Sequence, residues 1–299
     1  MRITNKVLSK NFLNNVRVNL EEMQKLQNQL SSGHEVQKPS DDPFKVARTM
    51  ELKASIAANE RYKKNIEEGI GWLDTVDVAL GQIGDALQTV REKVIQSGNG
   101  GYTETEMHAL KKHIEQLKDQ IMQIGNTSYD GRYIFGGDNT TEPPFVKDAN
   151  GNIQYKGSKD GLKKEMSFGV YIDVSVKGSD FNETGSNSQG EVGLFKVITD
   201  IVNKLNNNQS AADELGNLDK EMDNILKIRA EVGAKQKRLE DMMQKNDMET
   251  FNMTQLLAKT YDIDIAQKVM EYKVMESVYQ ASLQTGAKIL QPSLLDFLR

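Results

Sequence analysis

Proline stands at five positions only, Pro39, Pro43, Pro143, Pro144 and Pro292, which leaves 44–142 and 145–291 free of it. A proline inside a helix removes a backbone hydrogen bond and clashes with the preceding turn, so both stretches are permitted to be helical. The apolar pattern uses that permission. Ile66, Ile70, Leu73, Val76, Leu80, Ile83, Leu87, Val90 and Val94 recur at threes and fours, a near-heptad seam. Asp42 is a good N-cap with Pro43 at the first helical position. The pattern predicts one helix from there to about Ser97, roughly 80 Å long at 1.5 Å per residue. Composition agrees: 37% of residues are hydrophobic and 6% aromatic, enough to bury seams rather than one thick core.

A first helix is predicted over 4–31, with Phe12, Val16, Leu20, Met23, Leu26 and Leu30 on one stripe. Ser31, Ser32 and Gly33 end it. Gly69, Gly71, Gly81 and Gly84 lie in or beside the second seam. Each costs about 1 kcal/mol against alanine, which close packing of a neighbouring helix, or a local bend, would explain. Gly98-Asn99-Gly100-Gly101 stops that helix, and the Thr103-x-x-Glu106 capping box opens a third. Met107, Leu110, Ile114, Leu117, Ile121 and Ile124 form its face, and Gly125-Asn126 closes it.

From about 130 to 190 the period changes to two. Residues 145–147 and 153–155 predict a hairpin, 168–176 a strand and 178–190 a polar loop. Helices resume near Leu194 with Phe195, Ile198, Val202 and Leu205. Ser210 is the candidate N-cap of a long helix with Leu215, Leu218, Met222, Ile225, Val232, Leu239 and Met243 in its seam. Leu257, Tyr261, Ile265, Tyr272, Met275, Tyr279, Leu283 and Leu290 continue the stripe, Pro292 ends it, and 294–298 is an apolar tail.

The expected fold is mainly α, an elongated rod of long antiparallel, coiled-coil-like helices drawn from both chain ends, with a small β-rich insertion in the middle. Residues 1–40 with 255–299 are expected as terminal helices forming an inner coiled coil. Residues 41–135 with 191–254 form a helical rod domain, and 136–190 a β-rich outer domain. Apolar stripes at both ends need burial somewhere. The partner is another copy, another protein, or a chaperone before assembly.

Chemistry finds little to work with. The chain has no cysteine, which removes disulfides, thiolate nucleophiles and thiolate metal sites. Its net charge of −5 lacks the basic balance that nucleic-acid binding requires. No apolar run approaches the roughly 20 residues of a membrane span, and the first residues lack the apolar core of a secretory signal. The slight basic excess of the first 50 residues is ordinary helix polarity rather than a lipid-binding surface. His108 and His113 are five apart and point to different helix faces, and His34 sits alone in a loop, expected to be solvated. Residues 148–152 have a faint calcium-loop flavour but lack the alternating carboxylates and distal glutamate. No phosphate loop, dinucleotide fingerprint or nucleophile elbow is present. No catalytic residue, cofactor or metal is expected.

Leu30-Ser31-Ser32-Gly33 followed by Pro39-Ser40-Asp41-Asp42-Pro43 resembles the loop after the outermost terminal helix in the bacterial flagellin superfamily. Gly131-Arg132-Tyr133-Ile134-Phe135-Gly136-Gly137 resembles the junction into the outer domain of its hook-associated members, and the ending from Tyr279 to Leu298 is very similar to theirs. The likeness covers the helical skeleton at both ends and leaves out 138–190. It implies a structural, non-catalytic component of the extracellular flagellum. The implied role is to join the hook, through the first hook-associated protein, to flagellin. Implied partners are copies of itself in a ring and a cytoplasmic export chaperone on the C-terminal helix, with export through the flagellar type III channel. The terminal helices would order only on packing into the axial structure. The resemblance makes Phe12, Val16, Leu20, Met23, Leu30, Tyr261, Ile265, Tyr272, Tyr279, Leu283 and Leu290 the candidate assembly interface. Flagellin itself and a cytoplasmic coiled-coil scaffold are the rival readings.

Overall fold

A computed structural model describes residues 5–98, 103–148, 151–181 and 193–289. The expected stop at Asn99–Gly101, the hairpin turn at 149–150, the loop at 182–190, and Leu290, Pro292 and the apolar tail lie outside the described residues. The described chain runs α1 (Asn5–Ser32), α2 (Pro43–Gly98), α3 (Glu104–Gly125), β1 (Ser128–Tyr129), β2 (Arg132–Tyr133), β3 (Phe145–Lys147), β4 (Ile153–Tyr155), β5 (Lys163–Ser167), β6 (Val170–Asp173), α4 (Gly193–Asn206), α5 (Leu215–Tyr261) and α6 (Ile265–Ile289). Long helices with small antiparallel strand pairs make the fold mainly α. It divides into two compact units, Met1–Ala58 with Glu249–Arg299, and Asn59–Met248.

In the unit Asn59–Met248, the predicted seam of α2 is buried apart from the half-buried Ile70. Leu218, Ile225, Val232 and Leu239 of α5 are buried in the same core. Three ion pairs tie the helices antiparallel: Lys63–Asp247 at 2.8 Å, Arg91–Asp219 at 2.7 Å and Arg229–Asp77 at 2.7 Å. Arg229 grips both Asp77 oxygens, and this hydrogen bonding holds the carboxyl below its ordinary range. Two of the four α2 glycines are explained by close approach. A Cβ on Gly69 would meet Leu239 and Met166 at 3.1 Å, and one on Gly71 would lie 2.6 Å from the Tyr129 hydroxyl. Gly84 meets nothing within 4 Å, and the helix runs through all four positions unbroken.

Thr103 caps α3 with both bonds of the capping box, and the predicted face of that helix is buried. β1–β2, β3–β4 and β5–β6 are three separate antiparallel pairs. The hairpin 145–147/153–155 forms in the register Phe145↔Tyr155. Phe145 is its hub. Its ring contacts those of Tyr155, Phe181 and Phe195, and a Cβ on Gly125 or Gly178 would lie 2.7 or 2.5 Å from it. The Asn126 side chain pairs with the Phe145 backbone like a strand, accepting its N–H at 2.9 Å and donating to its carbonyl at 2.8 Å. The Tyr155 hydroxyl donates inward to backbone carbonyls of Phe135 and Ser158, and burial pushes its pKa up to about 12.

Several expectations need correction here. The strand expected over 168–176 is shorter: Phe168 is exposed and β6 ends at Asp173, whose carboxylate accepts both the Ser175 N–H and hydroxyl and turns the chain. Its partner β5 went unpredicted because Lys-Lys-Glu-Met-Ser carries no apolar alternation. The start of the expected loop, Gly178–Asp180, is a 3-10 turn leading to the buried Phe181. Ser210 does not cap α5: its hydroxyl accepts the Ala212 N–H at 3.2 Å, ahead of a 3-10 turn at Ala212–Glu214 whose cap position is Ala211.

In the other unit α1 and α6 pair antiparallel. Ser9, Phe12, Val16, Asn19, Met23, Leu26 and Leu30 form the half-buried line of α1, at threes and fours. Lys268, Tyr272, Met275, Tyr279 and Ser282 form that of α6, and Gly286 at its end is buried. Phe12 packs on Gly286, and Asn19 donates to the Ser282 hydroxyl at 3.3 Å. The expected continuous stripe is interrupted between Tyr261 and Ile265. Glu35 N–H donates to Tyr261 O and Ile263 N–H to Gly33 O, drawing the backbone into a bridge with the loop after α1. Asp264 then caps α6 by accepting the Gln267 N–H at 3.1 Å. His34 is therefore not a solvated loop residue: its ring stacks on Tyr261 at 3.9 Å, with Nδ1 3.3 Å from Asp262.

Candidate assembly surface

Surface chemistry of the α1–α6 unit follows from how few of its apolar residues the pair can cover. Phe12, Val16, Met23, Leu30, Tyr272 and Tyr279 lie half-buried in the seam. Tyr261 lies half-buried between the His34 ring and the Lys53 amine, 4.1 Å from its centroid. Leu20, Ile265 and Leu283 are 37%, 65% and 46% exposed and do not join the seam. Leu290 lies outside the described residues.

Sequence stripes missed a second set. Leu13 and Val18 on α1, and Val269, Met270, Val274 and Val278 on α6, are exposed large hydrophobics. On α6 the line 270, 274 and 278 follows a different side from the 272, 275, 279 seam. A helix apolar on more than one side belongs in an interior, and counting apolar residues off the main stripe would have found this. Between the two helices a groove of about 520 Å³ is floored by Leu26, Met270, Val274 and Met275 and rimmed by Glu22, Lys25, Lys268 and Glu271. Hydrogen bonding from Lys268 holds the Glu271 carboxyl below its ordinary range.

No group of three or more metal-ligating side chains occurs among the described residues, and none of their helices is long and apolar enough to cross a membrane. The arrangement is a helical pair with apolar flanks.

Residues 3–140 match the bacterial flagellin N-terminal helical region. Flagellar hook-associated protein 3 of Salmonella typhimurium is 24% identical over the whole of both chains, and flagellin of Bacillus subtilis 26% identical over 94% of each. Among solved structures, flagellar hook associated protein-3 from Legionella pneumophila superposes with a TM-score of 0.62 at 16% identity, over 70% of this chain and 97% of that one. Bacillus cereus FlgL does so with a TM-score of 0.58 at 21% identity, over 70% and 99%. Fold, surface and relatives define a structural, non-enzymatic protein of the bacterial flagellum. The chain is thus similar to the flagellin superfamily, and among these relatives to its hook-associated members as well as to flagellin.

Proposed function

We infer that the chain is the adaptor between hook and filament, working by packing alone. What carries this reading is the α1–α6 pair, whose apolar flanks stay exposed in the isolated chain, on a sequence aligned end to end with a hook-associated protein 3. Residues 1–40 with 255–299 act as the part buried in the assembly, 41–135 with 191–254 as a helical rod domain, and 136–190 as an outer domain. Phe12, Val16, Leu20, Met23, Leu30, Tyr261, Ile265, Tyr272, Tyr279, Leu283 and Leu290 meet neighbouring subunits. Those neighbours are copies of the chain in a ring, the first hook-associated protein on one side and flagellin on the other. An export chaperone covers the C-terminal helix before the chain leaves through the flagellar export channel.

A clean deletion in the native bacterium tests this. Hooks without filaments, with flagellin shed into the medium, are expected; normal filaments and swimming would sink the reading. The likeness to Bacillus subtilis flagellin over 94% of the chain favours one alternative, a filament subunit. Abundance separates the two, since a filament subunit is the main mass of the sheared filament and an adaptor a trace.

A further inference from the structure

Two columns at steps of seven run along the buried sides of α2 and α5. On α2 they are Asn59, Ile66, Leu73, Leu80, Leu87 and Val94; on α5, Leu218, Ile225, Val232, Leu239 and Asn246. Each column carries one polar residue, and the two meet. Asn246 Nδ2 donates to the Asn59 backbone carbonyl at 3.2 Å. The residues are 8% and 7% exposed. Asn59 Nδ2 and Asn246 Oδ1 are buried without partners, a donor and an acceptor in one seam. An apolar pair would fill the place without that desolvation penalty, so the layer costs stability.

A seven-residue repeat is self-similar. Sliding α5 along α2 by one heptad sets aliphatic on aliphatic again through most of the seam. The polar layer is the exception. In one slip Asn59 would face Leu239 and Asn246 would face Leu52; in the other they would face Met253 and Ile66, so that a lone buried amide opposes an apolar side chain. The nearby Lys63–Asp247 pair is half exposed, and its contribution is weakened by solvent. We propose that Asn59 and Asn246 form a register key, a layer that gives up stability to admit one alignment of α2 with α5.

The chain's lack of cysteine makes the test clean, because introduced thiols are the only ones present. Full-length protein is refolded from denaturant and treated with a short bis-thiol cross-linker. Lys63→Cys with Asp247→Cys reports the observed register. Lys63→Cys with Glu240→Cys, or with Thr254→Cys, reports a heptad slip in either direction. With both asparagines present, the first pair alone is expected to cross-link. In the Asn59→Leu/Asn246→Leu background a slipped pair is expected to cross-link as well, and the melting temperature to rise. If that background yields the observed register alone, the proposal is overturned, whatever its melting temperature. Should the leucine pair fail to fold, Asn59→Ala/Asn246→Ala carries the same cross-link readout.

Discussion

Gly71 and Gly84 look alike in sequence, both small residues in one long helix, yet their surroundings give substitutions opposite signs. A methyl on Gly71 meets the Tyr129 hydroxyl, whereas Gly84 has open space. Gly71→Ala is expected to lower unfolding free energy by up to about 2 kcal/mol, overpacking of about 1–3 kcal/mol less the roughly 1 kcal/mol gained in helix propensity. Gly84→Ala should raise it by about 1 kcal/mol through helix propensity. Urea denaturation of the two variants checks both. Charge gives a second expectation at this scale. The Asp77 carboxyl is held below its ordinary value by Arg229. A depressed carboxylate contributes its full stabilisation above the ordinary carboxylate range and loses it as pH falls through the depressed value. The difference between native protein and Arg229→Met should thus be present at neutral pH, under about 1 kcal/mol for a partly exposed pair, and vanish well below about pH 4. A difference that grows on acidification would contradict the assignment. Leu283 lies outside the α1–α6 seam, so Leu283→Asp should leave the unit Asn59–Met248 folded and block incorporation into the flagellum. Normal filaments on such a mutant would remove Leu283 from the assembly surface.

Among elements, α6 owes its start to one side chain. Asp264→Ala removes the acceptor for the Gln267 N–H and should cost roughly 1 kcal/mol of helix stability. Hydrogen exchange should show the loss in the first turn of α6, with α3, capped independently by Thr103, unchanged. These caps also show what sequence carries at this scale. Pro43 after Asp42, the Thr103 box and heptad spacing are local signals, and the corresponding helices begin and pack as they predict. The break between α5 and α6 has no proline or glycine to announce it. It depends on backbone pairing with Gly33 and Glu35, more than two hundred residues away in sequence. Likewise β5 is a strand because β6 lies beside it, not because Lys-Lys-Glu-Met-Ser prefers one. For the α1–α6 seam, Phe12, Val16 and Tyr272 were legible from the stripe. The exposed flank through Met270, Val274 and Val278 was not, since a pattern sought on one face hides apolar residues on another.

At the scale of the whole molecule, the two units bury their apolar residues unequally. The Asn59–Met248 unit holds the continuous core, whereas the large apolar residues of the α1–α6 line are only half-buried. Limited proteolysis of the free protein should therefore cut within α1 and α6 first and leave Asn59–Met248 as the resistant fragment. Equal resistance throughout would contradict this. The pairing of α2 with α5 also sets an order of events. Lys63 finds Asp247, Asp77 finds Arg229 and Arg91 finds Asp219 across sequence separations of 184, 152 and 128 residues. Contacts so distant along the chain close late and slowly. A ribosome that has delivered all of α2 has delivered none of the surface that covers it, so the nascent chain holds an open seam until its last third emerges. Timing is thereby written into the topology: the α2–α5 seam cannot be finished early, and α2 waits for that cover until α5 has been made.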